Sequence, residues 1–252
     1  MYHNRIIPCL LLDGQGLVKT VKFAAGRYLG DPINAVRIYN DSEVDELIFL
    51  DISASKHGRG PDYKYLAKIT QQCFMPVCYG GGITNTDEIR RLFEIGFEKV
   101  SVNAALGISY QILAEASEIF GSQSIVGAMD VRRAESGERK VYIKNGSVQL
   151  DIGPVEHAVN MERCGAGEIL INSIDNDGVC EGYDIELIRD ITKEVGVPVT
   201  ACGGAGTLKD CRDVTDAGAS AAAAGSLFVY WGRKKAVLIN YPDKEEIGKV
   251  FE

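Results

Sequence analysis

The side chains best suited to chemistry stand at the ends of short apolar runs. Asp130 closes the run Ile125–Met129, and a carboxylate at such a place can have a raised pKa and act as an acid or a base. The alternative is a carboxylate paired with a nearby lysine or arginine, and the residues leave both open. The other polar residues at or just after such ends are Asp13, Asp51, Asn103, Asn172, Ser173, Asp175 and Asp177.

Three glycine clusters also follow apolar runs: Gly80–Gly82, Gly203–Gly206 and the pair Gly225–Ser226. Exposed backbone N–H groups and the first turn of a helix bind anions. A single glycine-rich turn is usually no more than a tight turn. Three clusters, two of them after the seventh and eighth of the runs described below, where a barrel of this kind habitually binds phosphate, favour phosphate binding.

Charged residues stand at the opposite ends of four runs: Arg5, Glu46, Lys99 and Glu168. The simplest interpretation is a solvated rim. The alternative is a ring of two positive and two negative side chains that neutralise one another, because a charge inside a packed barrel is costly unless it is paired.

Eight apolar runs alternate with amphipathic stretches, which is typical of a parallel sheet covered by helices. Eight such units in 252 residues predict one (β/α)₈ TIM barrel of class α/β, spanning residues 1–252, with its active site at the carboxyl ends of the strands. The predicted strands are Ile6–Leu12, Leu47–Ile52, Pro76–Tyr79, Val100–Asn103, Ser124–Asp130, Ile169–Asn172, Pro198–Cys202 and Ala221–Ala224. The predicted helices are Ile33–Val44, Tyr63–Cys73, Thr86–Ile95, Ser109–Ile119, Val155–Cys164, Ile185–Val195 and Leu208–Ala217. An excursion at Arg132–Gly153 contains a further candidate strand, Val141–Ile143.

The chain repeats itself. Similar segments surround Glu46 and Glu168, Gly82 and Gly204, and Gly96 and Gly218, and each pair is 122 positions apart. Three coincidences at one offset predict two half-barrels, about 1–121 and 122–252, with paired sites on one rim.

Composition excludes several classes of protein. The net charge of −8 disfavours a nucleic-acid binder, no apolar run is long enough to span a membrane, and the first residues lack the order of a signal peptide. Seven cysteines without C-x-x-C spacing and three scattered histidines predict reduced thiols, a cytoplasmic location, no metal site and no catalytic cysteine or histidine.

Several motifs together resemble the cyclase subunit (HisF) family of imidazole glycerol phosphate synthase. The similarity extends from about residue 4 to about residue 230. The motifs are Arg5–Leu10, Leu50–Ser55, Gly80–Ile83, Phe120–Gln123, Gly165–Leu170 and Cys202–Gly206.

The resemblance implies a duplicated barrel that needs no cofactor and takes ammonia from a HisH-like glutaminase docked on the N-terminal rim. In that family the ammonia passes a gate of four charges, whose positions match Arg5, Glu46, Lys99 and Glu168. It then crosses the barrel to a phosphorylated substrate. The substrate and phosphate positions correspond to Asp51, Gly82, Asn103, Asn172, Asp177, Gly178, Gly204, Gly225 and Ser226.

The catalytic positions depart from the family pattern. The family has an aspartate at the end of the first strand, where this chain has Leu11, although the counterpart Asp130 and Lys19 remain. Leucine cannot transfer a proton, and loss of one of two cooperating carboxylates often costs nearly as much as loss of both. Ala104 stands where a hydroxyl residue is expected, and Asn172 stands where a threonine is expected.

The altered pattern resembles a divergent branch that is associated with acetamidino modification of surface-polysaccharide sugars of the lipopolysaccharide type. Its marks are Pro8–Leu12, Gly16–Phe23, Ser226–Tyr230 and Ala236–Pro242. The resemblance implies a glutaminase and a separate sugar amidotransferase as partners and a sugar nucleotide as substrate. Two alternatives remain: a histidine-pathway cyclase that tolerates Leu11, and a non-catalytic ammonia conduit.

Overall fold

Eight parallel strands close into a barrel in this computed structural model, which describes residues 5–251. The predicted absence of a signal peptide and the prediction for His3 concern the first residues, which lie outside that range. Each strand pairs with the next, β8 pairs with β1, and the register brings Asn172 on β6 opposite Asp130 on β5. The strands are β1 Arg5–Asp13, β2 Leu47–Asp51, β3 Val77–Gly80, β4 Lys99–Val102, β5 Ile125–Arg133, β6 Glu168–Ser173, β7 Val199–Cys202 and β8 Ala221–Ala224.

Helices cover the outside of the barrel. Their bounds are α1 Pro32–Asp41, α2 Tyr63–Thr70, α3 Thr86–Glu94, α4 Gln111–Phe120, α5 Pro154–Arg163, α6 Ile185–Thr192, α7 Leu208–Asp216, α8 Ser226–Val229 and α9 Lys244–Phe251. Helix α8 is a single turn, and α9 packs beside α7. None of the helices between residues 5 and 251 is long and apolar enough to cross a membrane.

The predicted barrel is confirmed. The excursion after β5 does form a hairpin, of Arg139–Ile143 and Val148–Gln149. The sequence analysis missed two other additions on the same face, the paired strands Gly16–Lys19 and Arg27–Gly30 and the hairpin Tyr230–Trp231 with Ala236–Val237. They were missed because each is four residues or shorter, too short to show an alternating pattern.

The apolar residues form two separate cores. One lies between the strands and the helices, as in any sheet covered on its outer face. The other fills the barrel interior, and its members are small or medium-sized: Ile7, Cys9, Ile48, Cys78, Val126, Ala128, Leu170, Cys202, Ala221 and Ala223. The interior is therefore mostly apolar between the two rims.

Close packing at the turn before β6 requires a glycine. A Cβ atom at Gly167 would lie 2.2 Å from the carbonyl oxygen of Ser122, which is backbone and cannot rotate away. We expect Gly167→Ala to lower the free energy of unfolding by about 2 kcal/mol, within the range for overpacking. Urea unfolding measures this, with Gly153→Ala as the control, because a Cβ there meets no atom within 4 Å. Equal stability of the two variants would contradict the packing argument.

Candidate active site

A pocket opens at the carboxyl ends of the strands, where the sequence analysis places the chemistry. Asp130, Asn103, Asn172, Asp51 and Leu11 all line it. The loop after β1 adds Thr20 and Phe23, and the hairpin after β5 adds Lys144 and Asn145. Some of the predicted polar residues of each half therefore share one cavity.

Asp130 is the ionisable group of this cavity whose environment favours proton transfer. Burial in the mostly apolar pocket raises its pKa to about 7, a hydrogen bond from Asn103 opposes this shift, and Asp177 adds to it. The bond runs from Asn103 Nδ2 to Asp130 Oδ2 over 3.1 Å. No lysine or arginine between residues 5 and 251 forms a salt bridge with Asp130. A carboxyl with this pKa can both give and take a proton near neutrality.

The second predicted catalytic residue, Lys19, lies elsewhere. Its ammonium group donates to Asp177 Oδ1 and to the carbonyl oxygen of Thr20, each over 2.7 Å, and the side chain is buried. Thr20 Oγ1 donates to the other oxygen of Asp177 over 2.7 Å. Within the described residues Lys19 makes no hydrogen bond to Asp130, so this arrangement holds the loop after β1 against the loop after β6.

A second, smaller pocket matches the predicted phosphate site of the C-terminal half. Lys19, Asp177, Gly178, Gly204, Gly225 and Ser226 line it, together with Leu11 and Asn172. Gly204 has φ +125°, and a Cβ there would lie 2.1 Å from the carbonyl oxygen of Gly182, so only glycine fits. The buried atoms Ser226 Oγ and Asn172 Oδ1 have no hydrogen-bond partner within residues 5–251. Buried polar atoms are normally paired, so this pocket has the properties of a ligand site.

The corresponding region of the N-terminal half is organised differently. Gly82 donates its N–H to Ser55 Oγ over 3.3 Å, and Asp51 accepts from Ser53, Ala54 and Arg59. The predicted residues Gly82 and Asp51 therefore already have partners within the fold. With Ala104 in place of a hydroxyl residue, this half offers fewer groups to a ligand.

Unusual backbone conformations cluster on the same face. Between residues 5 and 251, seven non-glycine residues have positive φ, and six of them lie on loops and hairpins of this face: Lys22, Phe23, Lys144, Asn145, Cys180 and Lys235. Such conformations cost free energy and persist where the surrounding structure enforces them, often at functional sites. The clustering supports this face as the active one.

At the opposite rim, the four predicted charges contact one another. Arg5 bridges Glu46 and Glu168, the latter over 3.1 Å. Lys99 also bridges both carboxylates, over 3.0 Å to Glu46 and 2.8 Å to Glu168. The cluster is therefore a closed ring of alternating charge.

The carboxylates lie deeper in this ring than the cations. The side chains of Glu46 and Glu168 are 6% and 9% exposed, against 19% for Lys99 and 28% for Arg5. Burial alone would raise the pKa of Glu168, but Lys99 and Arg5 outweigh it and lower that pKa. Thr200 Oγ1 also donates to Glu168. Each of the four groups thus has two partners of opposite sign.

The cysteines and the described histidines do not form a reactive centre. All seven cysteines are free, and a hydrogen bond with Cys202, together with burial, raises the pKa of the Cys9 thiol, which disfavours the reactive thiolate. Burial lowers the pKa of His157 to about 4, and its Nδ1 contacts Tyr110 Oη at 2.6 Å. No group of three potential metal-ligating side chains occurs within residues 5–251.

Comparison with known proteins assigns the family. The model of the family described as histidine biosynthesis protein matches residues 5–234. A Pseudomonas aeruginosa protein provisionally named imidazole glycerol phosphate synthase subunit hisF2 is 48% identical over 98% of this chain and 99% of its own length. Proteins from Leptospira interrogans and Vibrio vulnificus, provisionally named subunits HisF and hisF3 of the same enzyme, are each 44% identical over all of this chain and 100% and 98% of their own lengths.

The chain belongs to the HisF family.

Family membership bears on both rims, the one with the charge ring and the one with the pockets. This barrel has the charge ring and the C-terminal pocket, but it has Leu11 where the family pattern has an aspartate, and Asp51 and Asp130 are the carboxylates that line its mouth pocket. Sequence reasoning missed Thr200, Thr20, Phe23, Lys144 and Asn145. Thr200 could have been found, because it lies two residues before Cys202 on β7, and residues two apart on a strand face the same side, here the barrel interior. The loop residues follow no such periodicity.

The amide of Asn103 should hold the pKa of Asp130 near neutrality. Its hydrogen bond favours the ionised carboxylate, so Asn103→Ala should raise the pKa of Asp130 further above its present value of about 7. A carbon NMR titration of the carboxyl groups measures both values, and Asp130→Asn assigns the resonance. A midpoint near 4 in the wild-type chain, the ordinary value for aspartate, would show that the pocket does not desolvate Asp130.

Proposed function

We propose that this chain is the ammonia-receiving synthase subunit of a glutamine amidotransferase complex. The closed ring of Arg5, Glu46, Lys99 and Glu168 carries the proposal. A buried ring of charges is not the most stable way to close a barrel, because a protein with apolar residues of similar volume in its place is often as stable or more stable. Charged side chains would instead suit a gate that admits a small polar molecule. A HisH-like glutaminase docked over the N-terminal rim would release ammonia there.

Under this proposal ammonia crosses the barrel interior and reaches Asp130. The small side chains of Cys9, Cys78 and Ala128 along that interior support such a path. Neutral ammonia tolerates apolar surroundings far better than ammonium does, because only the ion carries a large desolvation cost. The path would therefore deliver a nucleophile that is already deprotonated.

The names of the relatives support imidazole glycerol phosphate synthesis in the histidine pathway as the reaction. The C-terminal phosphate pocket fits this candidate, because it would hold one end of a phosphorylated substrate at Gly204 and Ser226. The candidate requires that Asp130 alone perform the proton transfers that two carboxylates share in the family pattern.

The presence of Leu11 at the mouth supports a second candidate, acetamidino modification of a sugar nucleotide, better than histidine-pathway cyclisation. Leu11 lines both pockets, at the place of the missing carboxylate, and an apolar side chain cannot serve as acid or base. We therefore favour acetamidino modification of a sugar nucleotide, in which the barrel supplies ammonia and a separate sugar amidotransferase acts with it. A wholly non-catalytic conduit is less well supported, because the unpaired Ser226 Oγ and Asn172 Oδ1 favour a bound ligand. The seven free thiols favour the cytoplasm.

The gate predicts a difference between two sources of ammonia. Lys99→Ala removes a cation that bridges Glu46 and Glu168, so the ring should lose its order. We expect product formation with glutamine and the glutaminase partner to fall at least about tenfold, whereas formation with ammonium salt changes little, because added ammonia can enter from the mouth. Lys209→Ala is the control, since Lys209 pairs with Asp213 on exposed helix α7. Equal losses with both ammonia sources would contradict the gate.

Leu11 predicts the outcome of the assay that separates the two candidate reactions. With ammonium salt and the histidine-pathway ribonucleotide, turnover should be at least about a hundredfold below that of a HisF protein with aspartate at this position, the usual effect of losing one acid–base group. Leu11→Asp should raise it. Turnover equal to that of the aspartate-containing protein would establish the histidine-pathway cyclase and overturn the sugar candidate.

A further inference from the structure

Ammonia that leaves the barrel at its mouth has to meet its acceptor away from bulk water. Near neutral pH, ammonia in water takes up a proton and becomes ammonium, which has no lone pair with which to attack. Enzymes prevent such side reactions by closing the site and excluding water. Under the proposed function the glutaminase covers the opposite rim, so the surface around Asp130 needs a cover of its own.

A larger groove lies beside the mouth pocket. It has a volume of about 730 Å³, and residues of the loops after β2, β3 and β4 line it, among them Arg59 and Ile108. We call it the side groove. Ser55, Ala104 and Lys144 line both the side groove and the mouth pocket, so the two cavities adjoin.

The side groove has an apolar side chain on its wall that faces solvent. Ile108 is 90% exposed. The hairpin after β5 lies next to it, because Ile143 of that hairpin packs on Gly107, and Val148 of the same hairpin is also exposed. Two exposed aliphatic side chains therefore lie on neighbouring segments at this edge of the mouth.

The loop after β1 extends this apolar surface. Phe23 of that loop packs against the hairpin turn at Gly146, and Val21, two residues before Phe23, is exposed. Exposed apolar side chains that lie together, rather than singly, mark sites of protein interaction. A sugar or a phosphate would gain little from such side chains, so the surface fits a protein better than a polar small molecule.

Lys144 gives this surface a charge that a partner can match. It lies where the side groove meets the mouth pocket, and it forms no salt bridge with any carboxylate between residues 5 and 251. Complementary charge at the edge of an interface steers a partner and fixes its orientation. The chemistry of this surface therefore fits a partner with an apolar contact area and an acidic side chain beside it.

We propose that the side groove and the exposed side chains around it form the docking surface of the enzyme that accepts the ammonia. A segment of that enzyme occupies the side groove, packs on Ile108 and places an acidic side chain beside Lys144. The proposal rests on the proposed function, because it gives the separate sugar amidotransferase a place on this barrel. The side groove shares no lining residue with the C-terminal phosphate pocket, so this partner leaves that pocket free for a ligand.

A binding measurement with a purified sugar amidotransferase from the same organism tests the proposal. Ile108→Asp should weaken the affinity of the chain for this enzyme at least about tenfold, as expected for a central interface residue. Lys144→Glu should weaken it too, because the reversed charge repels an acidic partner. The matched control is Phe74→Asp, because Phe74 is 88% exposed but precedes β3 on the opposite rim, so the affinity should not change.

A second measurement follows the ammonia. With glutamine, the glutaminase and the amidotransferase present, Ile108→Asp should release ammonium into the medium at the expense of product, and it should leave binding of the glutaminase unchanged. Thermal unfolding should give the same Tm for Ile108→Asp and the wild-type chain, since an exposed side chain adds little to stability.

Three results would overturn the proposal. The first is an amidotransferase that does not bind the wild-type chain or binds Ile108→Asp equally well. The second is a loss of affinity for UDP-N-acetylglucosamine in Ile108→Asp, which would make the side groove a substrate site. The third is a dimer of the chain that Ile108→Asp dissociates, which would make a second copy the occupant. Failure of the proposed function is distinguishable, because it would appear as a wild-type chain that binds no glutaminase.

Discussion

Four charged side chains at one end of a closed barrel can coexist only by neutralising one another. Arg5 and Lys99 each bridge the two deeply placed carboxylates Glu46 and Glu168, and loss of any one would leave two like charges with a single partner between them. The ring joins residues at the start of β1, β2, β4 and β6, and it separates the apolar barrel interior from solvent at that rim. The mostly apolar path through the barrel depends on this closure.

The two halves of the mouth share a local fold but differ in the polar groups that they offer to a ligand. Thr84 N–H and Gly206 N–H, which are 122 positions apart, each donate to a carboxylate four residues later, Glu88 or Asp210. This shared cap fits the predicted half-barrel repeat. Beyond it the halves diverge, because Ser226 has an unpaired hydroxyl where the N-terminal half has Ala104. At this position the C-terminal half therefore offers a ligand a free hydroxyl that the N-terminal half lacks.

The barrel was predictable because β1 to β8 are nearly continuous apolar runs, and each predicted end lies within three residues of the observed one. The ring was predictable because charge at the start of an apolar strand is unusual. The salt bridge between Lys19 and Asp177 was not predictable, because it joins residues that are 158 positions apart and lie on loops without periodicity. Nor could the sequence show that Asp130 has an amide rather than a cation beside it, because that depends on how β4 and β5 lie together.

The identity of residue 11 determines which acid–base chemistry is available at the mouth. Leu11 lines the mouth pocket together with Asp130, whereas an aspartate would place a further negative charge there. Two neighbouring carboxylates raise the pKa of one of them and thereby divide acid and base roles. With Leu11 in place, burial and, to a smaller extent, the charge of Asp177 raise the pKa of Asp130 to about 7, so Asp130 would have to serve both roles or leave the chemistry to a partner. The substitution thus weighs against a two-carboxylate cyclase and fits the proposed role of a subunit that delivers ammonia.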